Sequence, residues 1–176
     1  MSNKIIKDYS VSKEQFRLDY DGEMDLYKTN FTNWDTLGSY YQSENYISHT
    51  DGNRNWFEKI YQFVKNFTIK QKWNFIKKHF KKENELHVLD IGCGTGDFLK
   101  YGIHNNKING VGVEPNEKAR EISKTKKIEV YNTIDEIKNK KFDVISLWHV
   151  LEHVKDIDDY FIFFKNHLKD DGLLII

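Results

Sequence analysis

The chain is predicted to fold as an α/β domain on a doubly wound parallel sheet, and three observations lead there. From about residue 86 onward, short apolar segments alternate with helical stretches, the pattern of successive β-α-β units. The first of these segments, Val88-Leu-Asp-Ile-Gly-Cys-Gly-Thr-Gly96, breaks into a turn with glycines at 92, 94 and 96. The second, Asn109-Gly-Val-Gly-Val-Glu114, ends in an acid eighteen residues beyond Gly96. A glycine turn and a strand-end acid at neighbouring strands can hold a nucleotide-like ligand at the carboxyl edge of such a sheet.

Composition sets the outer limits. At 176 residues, with 39% hydrophobic and 31% charged side chains, the chain can bury one core. Cys93 is the single cysteine, which excludes a disulfide framework. The opening Met-Ser-Asn-Lys-Ile-Ile-Lys-Asp lacks the apolar core of a signal peptide, and no apolar run approaches a membrane span, so a cytoplasmic protein with no membrane partner is expected. The formal net charge of zero hides an asymmetry: residues 1–53 carry nine acids and five bases, whereas residues 54–82 carry nine bases and one acid, Glu58. Such a basic stretch can mark a nucleic-acid surface. Here Phe57, Ile60, Tyr61, Val64, Phe67, Trp73, Ile76 and Phe80 recur at helical spacing, which assigns the lysines to a solvated face and argues against a nucleic-acid partner.

The elements follow in order. Residues 1–53 form an N-terminal module. Alternation around Asp21-Gly22 is a hairpin signal, and the Tyr40, Tyr41, Tyr46 and His49 cluster that follows either forms an aromatic lid over a ligand or anchors this segment to the core. Residues 54–84 form a helical extension, with a break near Thr68 and its part from about 70 to 82 packed on the sheet. Residues 85–176 hold the core, with strands near 86–91, 109–114, 128–131, 142–148 and 172–176. Helices are expected near 96–105, 115–126, 134–138 and 156–168.

Spacing in the glycine turn bears on the ligand. A dinucleotide fingerprint needs its third glycine where this chain has Asp97, which disfavours pyrophosphate on a bare helix N-terminus and leaves a nicotinamide-dependent oxidoreductase the weaker reading. Carboxylates at Asp90 and Glu114 suit a cationic ligand with a ribose, because a strand-end acid can accept both ribose hydroxyls. Cys93, between two glycines, reads as a small packed side chain rather than a reactive thiol.

Gly-x-Gly-x-Gly preceded by an acid resembles the first motif of the class I S-adenosylmethionine-dependent methyltransferases. Lys141-Phe-Asp-Val-Ile-Ser-Leu-Trp-His-Val-Leu-Glu-His-Val154 resembles the later strand and helix start of small-molecule methyltransferases, those of bacterial quinone biosynthesis among them. Leu168-Lys-Asp-Asp-Gly-Leu-Leu-Ile-Ile176 resembles the turn and fifth strand that follow. The resemblance implies a Rossmann-like fold with strand order 3-2-1-4-5 and S-adenosylmethionine as cofactor. It implies methyl transfer to a small-molecule acceptor. By the same resemblance Asp90, Gly92, Cys93, Gly94 and Gly96 face the methionine portion, Glu114 and Pro115 the ribose, and Asn132 and Thr133 the adenine. His149, Val150 and Leu151 line the floor, with Tyr46 in the lid. His149 or His153 is the candidate general base. Related enzymes set two acids and a His at the offsets of His149, Glu152 and His153. A histidine at the first of these argues against a magnesium site, and the lack of any cysteine before Cys93 argues against zinc in the N-terminal module, so no metal is expected.

Family members continue past the fifth strand into further elements, whereas this sequence stops at Ile176 within an apolar run. The expectation is therefore a C-terminally truncated domain whose fifth-strand edge pairs with a second copy, or else whose C-terminus is poorly ordered. The alternative function is a fragment that binds the cofactor, or only keeps the fold, without turnover.

Overall fold

The structure, a computed structural model, describes residues 4–9, 12–30, 55–80 and 85–176. The chain divides into two units, Met1–Arg54 and Asn55–Ile176. The proposed aromatic lid at Tyr40, Tyr41, Tyr46 and His49 lies outside the described residues.

In the first unit, β1 (Lys4–Lys7), β2 (Gln15–Asp21) and β3 (Leu26–Asn30) form an antiparallel sheet in that order. The hairpin expected at Asp21-Gly22 joins β2 to β3, with Asp21 facing Leu26. Asp21 closes the turn by accepting the N–H groups of Glu23 and Met24 at 3.0 and 3.2 Å. The additional strand β1 has too few residues to show an alternating pattern; it becomes a strand by pairing Lys4 to Leu18 and Lys7 to Gln15.

The second unit carries α1 (Asn55–His79), β4 (Leu86–Ile91), α2 (Asp97–Asn106), β5 (Ile108–Val113), α3 (Glu117–Thr125) and β6 (Glu129–Tyr131). β7 (Phe142–Leu147), α4 (Ile157–His167) and β8 (Leu168–Ile175) follow. The five strands are all parallel in the order β6-β5-β4-β7-β8, which is the expected 3-2-1-4-5. Strands buried on both faces need unbroken apolar runs, and β7 has all six residues buried. One face of the sheet packs Val88 and Val144 with Trp73, Ile76 and Leu99; the other packs Leu89, Val111 and Ile145 with Phe163 and Phe164.

Four expectations need correction. α1 runs unbroken through Thr68, whose hydroxyl donates back to the Val64 carbonyl at 2.9 Å and so spares the backbone ladder. Only its C-terminal part meets the core, through Ile69, Trp73 and Ile76. Ile60, Tyr61, Val64 and Phe67 are exposed, so helical spacing there marks an outward apolar face and not the buried one; the side chain of Phe57 is not among those described. The helix expected at 134–138 is a single 3-10 turn, Ile134–Glu136, and the turn before the fifth strand is absorbed into β8. Two steps along β7, from Phe142 to Val144, correspond to five along β8, from Leu168 to Leu173. That irregularity lets Lys169 reach back to Asp143 at 2.8 Å, where the same carboxylate oxygen also accepts the His87 N–H at 2.8 Å.

Candidate active site

The glycine turn leaves the end of β4 and doubles back against β5. Gly92 and Cys93 both donate their N–H groups to the Val113 carbonyl, at 2.7 and 3.0 Å. Gly92, Gly94 and Gly96 all have positive φ, the left-handed region that L side chains rarely adopt. At Gly92 a Cβ would lie 2.3 Å from the Val150 side chain, so Val150 packs directly against the turn. At Gly94 a Cβ would meet nothing within 4 Å, so there the backbone faces open space.

Glu114 closes the turn from the end of β5. One carboxylate oxygen accepts the Gly94 N–H at 2.8 Å, and the other accepts the Asn116 N–H at 2.9 Å. α3 braces this corner. Asn116 caps the helix by accepting the Ala119 N–H at 3.1 Å. Arg120 donates to the carbonyls of Glu114 and Pro115 and to the Asn132 side-chain oxygen, at 2.8, 2.6 and 2.8 Å. Ser123 donates to the Gly94 carbonyl at 3.0 Å. Pro115, Asn132 and Thr133 are exposed along this rim.

Asp90 lies beneath the turn, 3% exposed, and accepts the Ser146 hydroxyl at 2.6 Å. Burial drives its pKa up to about 7, against the Ser146 hydrogen bond and the charge of Lys72 and with the charge of Glu114. The Lys72 ammonium comes from α1 and sits 4.2 Å from the centre of the Trp148 ring, a cation–π contact, while burial lowers its pKa. The indole Nε1 of Trp148 is buried with no hydrogen-bond partner among the described residues. Cys93 is also buried, and burial, then the charges of Asp90 and Glu114, push its thiol up to about 12. That fits the packed side chain expected there, since reactivity requires the thiolate.

Asp97, where a dinucleotide fingerprint would place glycine, pairs with Lys65 of α1 and with Lys126 at 2.6 Å. Burial alone would raise its pKa, but the two ammonium groups outweigh this and hold it at about 2. A cleft of about 300 Å³ lies alongside, between α1 and α2, and includes Lys65, Asp97, Lys100 and His104 but none of the glycine-turn residues. Its walls carry mostly long exposed side chains, whereas the turn and its buried carboxyl carry the organised polar groups.

His149, Glu152 and His153 do not share an α-helical face. His149 has φ of +58°, and the 3-10 turn Leu151–His153 follows. His149 Nδ1 lies 3.7 Å from a Glu152 oxygen, with the imidazole largely exposed. The reason is local: the backbone must reverse at His149 to bring Val150 onto Gly92. Among the described residues, no three His, Cys, Asp or Glu side chains come together as a metal site, and no helix is long and apolar enough to cross a membrane.

Lys72, Arg120, Ser123 and Ser146 escaped sequence reasoning. Ser146 alone left a signal, as the one hydroxyl inside the apolar run of β7. The others occupy helix positions whose role depends on which strand end the helix meets.

A methyltransferase-domain family model matches residues 53–176. The chain is 27% identical over 142 residues to a ubiquinone biosynthesis O-methyltransferase of Rickettsia typhi, covering 74% of this chain and 56% of that protein. With the Rickettsia prowazekii protein of the same name it is 28% identical over 137 residues, covering 74% and 54%. The chain thus spans about half the length of the curated relatives it matches. Among solved structures, the plantazolicin methyltransferase BpumL, in complex with a monoazolic analogue and S-adenosylhomocysteine, superposes with a TM-score of 0.59 at 19% identity, covering 81% of this chain and 55% of that one. At that identity the likeness shows the fold alone. The family match over the whole α/β unit shows that the chain belongs to the class I S-adenosylmethionine-dependent methyltransferases.

Proposed function

We propose that this chain is the cofactor-binding part of an enzyme that transfers a methyl group from S-adenosylmethionine to a small-molecule acceptor. The observation that carries the proposal is the open backbone at Gly94, which has no atom within 4 Å of where a Cβ would stand, while its N–H is held by the Glu114 carboxylate. The residues present fit the cofactor: Glu114 has acceptor sites left for ribose hydroxyls, and the buried Asp90 can balance a cationic ligand. When bound, S-adenosylmethionine supplies a methyl group already activated by its sulfonium.

The protein's own contribution is then to bind, orient and exclude water. In this proposal Gly92, Cys93, Gly94 and Gly96 give backbone access to the methionine end, while Glu114 and Pro115 flank the ribose. Asn132 and Thr133 border the adenine, and Val150 and Leu151 shape the floor beside His149. His149 or His153 takes the proton of the acceptor where one must leave. The curated relatives are named as O-methyltransferases of ubiquinone biosynthesis, which supports an acceptor of small-molecule class.

Calorimetric titration tests this directly. S-adenosylmethionine and S-adenosylhomocysteine should both bind, and NADH should not; absence of binding by both sulfur ligands would remove the proposal.

A further inference from the structure

Asp90 is placed unusually for a carboxyl group that must balance a cation. It lies buried at the end of the central strand, and its hydrogen-bond partner is a neutral hydroxyl, that of Ser146. Among the described residues no ammonium or guanidinium comes within ion-pair distance of it. Of the charged groups facing it, Lys72 from α1 is held over the Trp148 ring, and Glu114 from the end of β5 carries the same sign as an ionised Asp90. The neighbouring Cys93 thiol stays neutral. A carboxyl group so enclosed keeps its proton until a positive charge arrives, because an unpaired buried charge is costly.

We propose that, on the acid side of neutrality, Asp90 is protonated in the ligand-free protein and gives up its proton when the cationic cofactor binds, so that cofactor capture is there coupled to proton release. The Asp90 O–H bond breaks, the proton passes to solvent, and the carboxylate left behind offsets the cofactor's positive charge. Lys72 and Ser146 are positioning residues that set the pH range of this exchange, since each favours the ionised form. The inference rests on the cofactor reading above and adds to it a linkage that neither the fold nor the family match contains.

The sign follows from linkage. Below the pH at which the free protein ionises Asp90, binding must expel the proton, so affinity weakens about tenfold per pH unit on going more acid. Above it the carboxylate is already formed, and affinity levels off. The test is titration calorimetry of the full chain with S-adenosylmethionine in buffers of different ionisation enthalpy, repeated from about pH 6 to about pH 8. The dependence of the heat on the buffer counts the protons released. The expected count approaches one at the acid end and falls through the neutral range.

Asp90→Asn should abolish this release, leaving only what the cofactor's own amino group contributes near its pKa of about 8. Lys72→Met and Ser146→Ala should each move the release to higher pH, and they carry the test if the Asn variant fails to fold. Buffer-independent heat in the wild type, an unchanged count in Asp90→Asn, or an unmoved pH range in both other variants would overturn the proposal. Complete absence of binding by the wild type would instead defeat the cofactor reading itself, so the two failures are distinguishable.

Discussion

Each oxygen of the Glu114 carboxylate accepts one backbone N–H, from Gly94 on one side and Asn116 on the other. A carboxylate has about four acceptor positions, so the same group that shapes the turn can receive two ribose hydroxyls. Removing it acts twice. Glu114→Ala should weaken S-adenosylhomocysteine binding at least about tenfold, from lost charge-assisted bonds of about 1.5 to 3 kcal/mol, and should also lower the melting temperature by leaving the part-buried Gly94 N–H without its acceptor. Glu114→Gln, which keeps one acceptor oxygen, should fall between the two proteins in both measurements. An unchanged dissociation constant in the alanine variant would withdraw Glu114 from the ribose. Val150 belongs to the same scale: it closes on Gly92 only because His149 adopts a left-handed backbone, a cost that a residue other than glycine accepts when its surroundings fix it.

Among the elements, α1 is joined to the core through Ile69, Trp73 and Ile76, and of these Trp73 adds a ring stack and a hydrogen bond. Trp73 is 1% exposed, stacks on Phe98 with ring centres 4.6 Å apart and donates its Nε1–H to the Phe98 carbonyl at 2.9 Å. Trp73→Ala should destabilise the domain by about 3 to 5 kcal/mol, and Trp73→Phe, which keeps the stack but loses a second donor to a carbonyl already bonded within α2, by less, about 0.5 to 1.5 kcal/mol. Urea denaturation followed by circular dichroism reads both; equal losses in the two variants would mean that the hydrogen bond, and not the buried ring, holds the helix. The same helix shows why part of the fold was illegible in sequence. Periodicity reports that a helix has an apolar side and not which neighbour covers it, so Ile60, Val64 and Phe67 read as core although they face outward. β4, β5 and β7 were legible because apolar runs bounded by glycine or an acid leave few alternatives, and strand order came from resemblance to a known fold. In the candidate site, the meeting of Glu114 with the glycine turn was legible from their spacing within one β-α-β unit. Lys72 and Ser146 meet Asp90 from separate elements, and no local pattern encodes that meeting.

For the molecule as a whole, burial is unevenly distributed. None of the described residues from 4 to 30 is buried, whereas every position of β7 is. Local opening free energy follows buried contacts and protected backbone bonds. Hydrogen exchange followed by mass spectrometry should therefore find β1 to β3 exchanging orders of magnitude faster than β4 and β7. Equal protection in both units would mean that the N-terminal sheet shares the core's stability.

The central place of β4 has a consequence for the newborn chain. Leu89 pairs with Val111 on one side but with Ile145 on the other, and the second partner is made well after the first. At ribosomal elongation rates the delay is on the order of seconds. Throughout it, the strand that ends in the glycine turn presents an apolar, unpaired edge, the kind of edge that can pair with another chain until residue 147 has been made.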